Sequence, residues 1–257
     1  MFINPIAVKL GPIKIYWYGI MYLVGFFLAY VLGSKFIKKN KFIKISKKEF
    51  EDLIHYLAIA IIVGGRLGYV LIYELSNFLK NPINILYIWE GGMSFHGGFL
   101  GVLITILIYS KIYKKNFFII TDLISYLAPL GIGAGRIGNF INGELWGKPT
   151  SLPIGMIFPL SGDNISRHPS QIYEMLGEGL LLFFILSILS KKKYRPGILS
   201  TVFTLSYSII RFLIEFLRDS PIIKFSYFNL TYGQLLSIIM FFFGIFIYFY
   251  SKKYEYL

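Results

Sequence analysis

No cysteine occurs in the 257 residues, which removes structural disulfides, thiolate metal sites and a cysteine nucleophile from the chemistry this chain can supply. Any thiol that reacts here must belong to a partner. Histidine is scarce as well: His55, His96 and His168 lie far apart and lack helical ligand spacing, so no metal ion or other cofactor is expected. Charge is the third shortage. Only 15% of the residues are charged, where soluble domains carry about 25%, and the mean hydropathy is +0.64. Acidic residues number 13 against 26 basic ones, giving a net charge of +13. Such an excess suggests a nucleic-acid partner in a soluble protein, but in a polytopic membrane protein it marks cytoplasmic loops. Its placement along the chain separates the two.

What the sequence has instead is long apolar runs, each sufficient to cross a hydrocarbon core of about 30 Å. They predict an all-α integral membrane protein of about seven transmembrane helices, near 15–34, 53–73, 93–110, 119–137, 172–190, 198–217 and 231–250, in a single polytopic domain over residues 1–257. The first run has no basic leader and is long enough to span, so it is expected to remain as a helix. Lysines crowd alternate connections: Lys35 to Lys48, then Lys111, Lys114 and Lys115, then Lys191 to Lys193 with Arg195, and finally Lys252 and Lys253. The intervening connections carry fewer. By the positive-inside rule the N-terminus is outside and the C-terminus cytoplasmic. The basic charge then reflects topology in a lipid bilayer, and no nucleic-acid partner is expected.

Six of the 26 basic residues are arginine, and three of these, Arg66, Arg136 and Arg211, fall within predicted spans, towards their outer halves. An arginine fork grips phosphate or carboxylate through two parallel bonds and keeps its proton, which lysine cannot match. Ionisable groups inside a bilayer are costly and mark function. Around Arg136 the sequence reads Gly131-Ile-Gly133-Ala-Gly135-Arg136-Ile-Gly138-Asn139-Phe-Ile-Asn142-Gly143-Glu144-Leu-Trp146-Gly147. Its glycines formally satisfy the dinucleotide fingerprint, but a membrane span, not a strand, precedes them, so that reading is rejected. They are expected to break the helix end and bring backbone close to a ligand or a neighbouring helix. Arg136, Asn139, Asn142 and Glu144 would line a polar cavity.

The third span begins Glu90-Gly91-Gly92-Met93-Ser94-Phe95-His96-Gly97-Gly98, setting His96, a side chain able to move protons near neutral pH, between glycine pairs. His55 has no comparable setting and reads as structural. Tyr207, Arg211, Glu215 and Arg218 fall on one face of the sixth span, where Arg211 and Glu215 can pair. A polar run, Arg167-His168-Pro169-Ser170-Gln171, precedes the fifth span and its buried candidates Glu174 and Glu178. Trp17 and Tyr18 read as interfacial belt residues, whereas Tyr22 sits deeper and needs a hydroxyl partner.

At these residues the sequence resembles the prolipoprotein diacylglyceryl transferase family. The run Gly135 to Gly147 carries the resemblance, with Trp17-Tyr18-Gly19, Gly65-Arg66-Leu-Gly68-Tyr69, Gly91 to Gly98, His168 to Glu174, and Arg211-Phe212 with Glu215 following the same order. The short segment between Pro149 and Arg167 departs from the longer arm of some members. The resemblance implies transfer of the diacylglyceryl group of phosphatidylglycerol to the thiol of the lipobox cysteine in a prolipoprotein signal peptide, leaving glycerol phosphate, in the bacterial cytoplasmic (inner) membrane. It implies that Arg136 binds the lipid with Arg211 essential beside it, and that Asn139, Glu144, Tyr22 and Tyr207 support them. Arg66 and Glu215 are expected among the lipid-binding residues, and His96 is the natural general base by its chemistry. A transporter would also gather Arg and Glu in a polar cavity, but its site would sit at the midplane between repeated halves, and no repeat is present.

Overall fold

The computed structural model describes residues 4–11, 13–40, 43–87, 92–192, 194–221 and 229–254. Among them, six helices are long and apolar enough to cross a membrane. They are α1 (Trp17–Lys39), α2 (Lys47–Tyr73), α5 (Phe117–Asn142), a span running from α6 (Ser170–Glu174) through a π-helical turn (Met175–Leu181) into α7 (Leu182–Leu189), α8 (Ile198–Glu215) and α9 (Tyr232–Ser251). The apolar α4 (Phe95–Ile112) is the seventh, and a short α3 (Leu75–Lys80) follows α2. The chain is a multi-pass, all-α membrane protein, as the apolar runs predict. Large apolar side chains point outward along the spans, among them Leu23 at 70% and Phe27 at 66% exposure. Lipid is the solvent that accepts such a surface.

Two small hairpins go beyond the sequence reading. Strands β1 (Ile6–Leu10) and β2 (Ile13–Tyr16) pair antiparallel ahead of α1, and β3 (Met156–Ile157) pairs with β4 (Ser166–Arg167) ahead of α6.

The fold comprises two compact units, residues 34–120 in one and residues 1–33 with 121–257 in the other. In the first, Ser46 opens α2 with a capping box: its hydroxyl accepts from the Glu49 N–H at 3.2 Å, and the Glu49 carboxylate accepts from the Ser46 N–H at 2.7 Å. Small residues then let α2 and α4 touch backbone to backbone. A Cβ on Gly64 would lie 2.5 Å from the Gly97 carbonyl oxygen, and one on Gly101 2.5 Å from that of Ala60. A Cβ on Gly97 would collide with the Gly64 carbonyl and lie 2.8 Å from the Gly68 Cα. Gly97→Val is therefore expected to force the helices apart and cost at least about 1–3 kcal/mol. Thermal unfolding in detergent reads this, and an unchanged midpoint would refute the close packing.

In the second unit α1 meets α5 where a Cβ on Gly25 would lie 3.1 Å from the Gly131 Cα, and α5 meets the α6–α7 span where a Cβ on Gly133 would lie 3.3 Å from the Gly179 Cα. At the far end of α5, buried Asp122 accepts from the N–H groups of Gly197 (2.7 Å) and Ser200 (2.8 Å) and from the Ser200 hydroxyl (2.7 Å). It thus satisfies donors that the first turn of α8 leaves unpaired.

The glycines of the signature do not break α5, contrary to expectation. The helix continues to Asn142, and Gly133 meets the other half of the expectation, bringing regular helical backbone close to Gly179 of a neighbouring helix. Termination falls to Gly143 at φ +66°. Its N–H donates to the Phe140 carbonyl (3.0 Å) and the Glu144 N–H to that of Asn139 (3.1 Å), the paired bonds of a Schellman ending.

Candidate functional site

The Schellman turn delivers Glu144 back towards the helix it has just left. Its Oε1 accepts from the amides of Asn139 (2.9 Å) and Asn142 (3.3 Å), so these three expected residues form one hydrogen-bonded group. The polar run before α6 holds the same turn from the other side. Gln171 Nε2 donates to the Glu144 carbonyl at 2.6 Å and Ser170 Oγ to that of Leu145 at 2.8 Å. Beyond it, Gly147 and Lys148 thread between two neighbours: the Gly147 N–H donates to the His168 carbonyl and the Lys148 N–H to that of Leu217, both at 2.8 Å. A Cβ on Gly147 would strike the Leu217 carbonyl and lie 2.7 Å from the His168 Cβ. That threading ties the start of α6 to the end of α8, where the charged side chains lie.

Between these ends sits a buried ionic cluster. Glu174 is fully buried and meets three arginines: Arg136 Nε at 3.0 Å, Arg211 Nη1 at 2.5 Å and Arg218 Nη1 at 2.6 Å. Glu178, also fully buried, accepts from Arg136 Nε at 3.3 Å and Nη2 at 3.1 Å. Arg211 Nη2 pairs with Glu215 at 2.8 Å, as the four-residue spacing allows. Thr231, the residue that caps α9, donates its hydroxyl to Glu215 Oε1 at 2.9 Å. Glu178 lies eight residues into a span that begins at Ser170, a depth of about 12 Å at 1.5 Å per residue. Such a depth raises the cost of an unpaired charge and strengthens every pair.

Arg136, Arg211 and Glu215 are thus brought together, and Tyr207 lies within electrostatic reach of Glu178, Arg136 and Arg211. Tyr22 is 43% exposed, with its hydroxyl 3.2 Å from that of Tyr18. Tyr18 is more than a belt residue: its ring fills the space beside Gly138, where a Cβ would approach it to 2.8 Å, and it senses the charges of Glu144 and Arg136. Only the missing side chain at Gly138 hinted at this. Arg66 belongs to the unit of residues 34–120. There it is buried and donates to the carbonyls of Asn84 (2.7 Å), Ile85 (3.0 Å), Tyr87 (3.2 Å) and Gly92 (3.2 Å). His96 is in the same unit, in the first turn of α4, whose cap Ser94 accepts from the Gly97 N–H. The side chain of His96 lies outside the described residues, as do Glu90 and Gly91.

The loop that carries β3 and β4 has its own ion pairs, Arg167 reaching Asp163 at 2.7 Å and Asp219 at 2.9 Å. The Arg167 guanidinium holds the Asp163 carboxyl down to about 2, below its ordinary value of about 3.9. A depressed carboxylate stabilises the fold above the unfolded value and ceases to as pH falls through the folded one. The protection of amides in residues 163–167, taken as the exchange rate relative to that of an unstructured peptide at the same pH, is therefore expected to be high at pH 5 and to fall between pH 4 and 2. Asp163→Asn should show low protection throughout; equal protection in both proteins would refute the link.

Among the described residues no group of three or more His, Asp or Glu is arranged to hold a metal ion. What the cluster offers is a set of arginine forks in a site of low dielectric, suited to an anion such as a phosphate ester. The comparisons with known proteins point to the same chemistry. The family model of prolipoprotein diacylglyceryl transferase matches residues 5–250. A phosphatidylglycerol--prolipoprotein diacylglyceryl transferase of Bordetella bronchiseptica is 45% identical over 252 residues, covering 98% of this chain and 96% of that protein. Enzymes of the same name from Pseudomonas savastanoi pv. phaseolicola and Cupriavidus metallidurans are 47% and 46% identical, covering 95% and 92% of this chain and 92% and 89% of their own. With a matching model along nearly its whole length and relatives this similar, the chain belongs to the prolipoprotein diacylglyceryl transferase family.

Proposed function

We propose that this protein transfers the diacylglyceryl group of phosphatidylglycerol to the thiol of the lipobox cysteine in a prolipoprotein signal peptide, releasing glycerol 1-phosphate. The observation that carries the reading is the buried arginine and glutamate cluster behind the Gly135 to Gly147 signature, in a chain whose relatives bear that enzyme's name. The substrate's thiolate attacks the glyceryl carbon, the carbon–oxygen bond breaks, and the phosphate carries off the electron pair. Arg136, with Arg211 behind it, stabilises that developing charge. Asn139 and Glu144 keep the adjoining turn in shape, and Tyr22, Tyr207 and Glu215 support the lipid side. For the thiol proton the sequence argument offers His96, and Arg66 serves the lipid-binding role by fixing the segment that leads to α4.

The reading further places the chain in the bacterial cytoplasmic membrane, with α5 and α8 ending on the periplasmic side. The absence of cysteine makes that orientation easy to test. Single cysteines introduced at Lys48 and Lys148 are expected to label from opposite sides of sealed vesicles; labelling from one side would refute it. For the activity, purified protein incubated with phosphatidylglycerol and a lipobox peptide should yield a peptide heavier by one diacylglyceryl group, and a cysteine-to-serine peptide should not gain it. An unchanged peptide mass across pH and detergent conditions would remove the reading.

A further inference from the structure

Three arginines and three glutamates meet in the cluster, so Arg136, Arg211 and Arg218 are already balanced by Glu174, Glu178 and Glu215. Both Nε and Nη2 of Arg136 are spent on these carboxylates. A phosphodiester entering here brings one further negative charge to a fork that is taken, in surroundings where an uncompensated charge is expensive. One carboxylate has to give way, and the three are not held alike. Glu174 meets three arginines at 3.0 Å or less. Glu215 has Arg211 at 2.8 Å and the Thr231 hydroxyl at 2.9 Å. Glu178 rests on Arg136 alone at hydrogen-bond distance. Each of the three carboxylates has one buried oxygen that accepts no well-aligned hydrogen bond, but those of Glu174 and Glu215 have an arginine nitrogen at 3.0 and 2.8 Å, whereas Oε1 of Glu178 has Arg211 Nη1 only at 3.6 Å. It also stands in the π-helical turn Met175–Leu181, between Gly177 and Gly179, a local irregularity of a kind that recurs at working sites.

We propose that Glu178 is the counter-ion that yields Arg136 to the lipid phosphate, and that it takes up one proton from solvent as it does so. The proposal rests on the reading that phosphatidylglycerol is the donor. A neutral acid can stay buried without a cationic partner, and the charge of the site is then the same before and after the lipid binds. The groups facing Glu178 are Arg136 on α5, Arg211 and Tyr207 on α8, and Glu174 on its own span. When the phosphate departs, the acid loses its proton and returns to Arg136, so the empty site is never left with a bare cation. Glu178 is on this account a positioning residue, acting on the lipid through the arginine that it releases.

Calorimetric titration of the purified protein with a short-chain phosphatidylglycerol, in two buffers of different ionisation enthalpy at pH 8, counts the protons. Wild type is expected to take up close to one proton per lipid, with Kd weakening about tenfold per pH unit on the alkaline side. Glu178→Gln should take up none and bind with a Kd that pH does not move, tighter than wild type at pH 8. Absence of uptake in wild type, absence of lipid binding, or an unchanged slope in Glu178→Gln overturns the proposal. If the variant fails to fold, the wild-type proton count decides alone. A transfer assay on the same preparation separates the two readings. Peptide adduct without proton uptake sinks the role of Glu178 and leaves the transferase intact; proton-coupled binding without adduct does the reverse.

Discussion

Arg136→Lys is expected to lower the rate of diacylglyceryl transfer by about 10²–10³ while leaving the protein folded. Lysine retains the positive charge, so the cluster keeps its balance. It replaces a planar fork, whose Nε and Nη2 reach two different glutamates at 3.0 and 3.1 Å, with a single mobile ammonium. The effect should fall on the step in which charge moves onto the phosphate, because a point charge cannot follow two oxygens as the bond to carbon lengthens. Single-turnover transfer to a lipobox peptide, measured beside the thermal midpoint, checks this. A loss of less than about fivefold at an unchanged midpoint would mean that the fork geometry is not used.

Glu174→Ala is expected to bring the largest loss of stability, about 3–5 kcal/mol, because it leaves largely covered cations facing one another with too few counter-charges. Arg136, Arg211 and Arg218 come from two helices and the end of one of them, and Glu174 on a third span is the group they share. Removing it withdraws the carboxylate that binds α5 and α8 together to the α6–α7 span, leaving the Arg136 pair with Glu178 as the closest remaining ionic contact to that span. For a chain of this size the midpoint should fall by roughly 6–20 °C. Glu174→Gln keeps the shape and loses the charge, and is expected to lie between the two. A midpoint within 2 °C of wild type for the alanine variant would show that packing alone holds these helices.

Seven spans were legible in the sequence because apolar length is a strong signal and the bilayer fixes what length is needed. The arginines were legible for a related reason: a charge in such a run is conspicuous. Pairing was not. Sequence places Glu174, Glu178 and Arg218 on plausible faces, but which carboxylate meets which guanidinium depends on how three helices approach, and that depends on Gly133 and Gly179. Gly133 and its neighbours in the signature misled the reading of α5, since a glycine that admits a neighbouring helix and one that ends a helix look alike in one dimension. Gly143, the residue that ends α5, is distinguished only by its positive φ. The hairpins of β1 with β2 and β3 with β4 are too short for alternation to show, and the π-helical turn has no sequence signature beyond its glycine pair.

The bond from the Gly197 N–H to Asp122 joins residues 75 apart in the chain. During synthesis from the N-terminus at about 5–20 residues per second, α5 emerges roughly 4–15 s before the backbone that will hydrogen-bond its carboxylate. Over that interval the nascent helix carries an acid without its final hydrogen-bond donors, which favours α5 waiting where water still reaches Asp122. Arrival of the start of α8 ends the wait. A buried cap in the finished protein is, for the ribosome, a rule about the order in which membrane helices can be released.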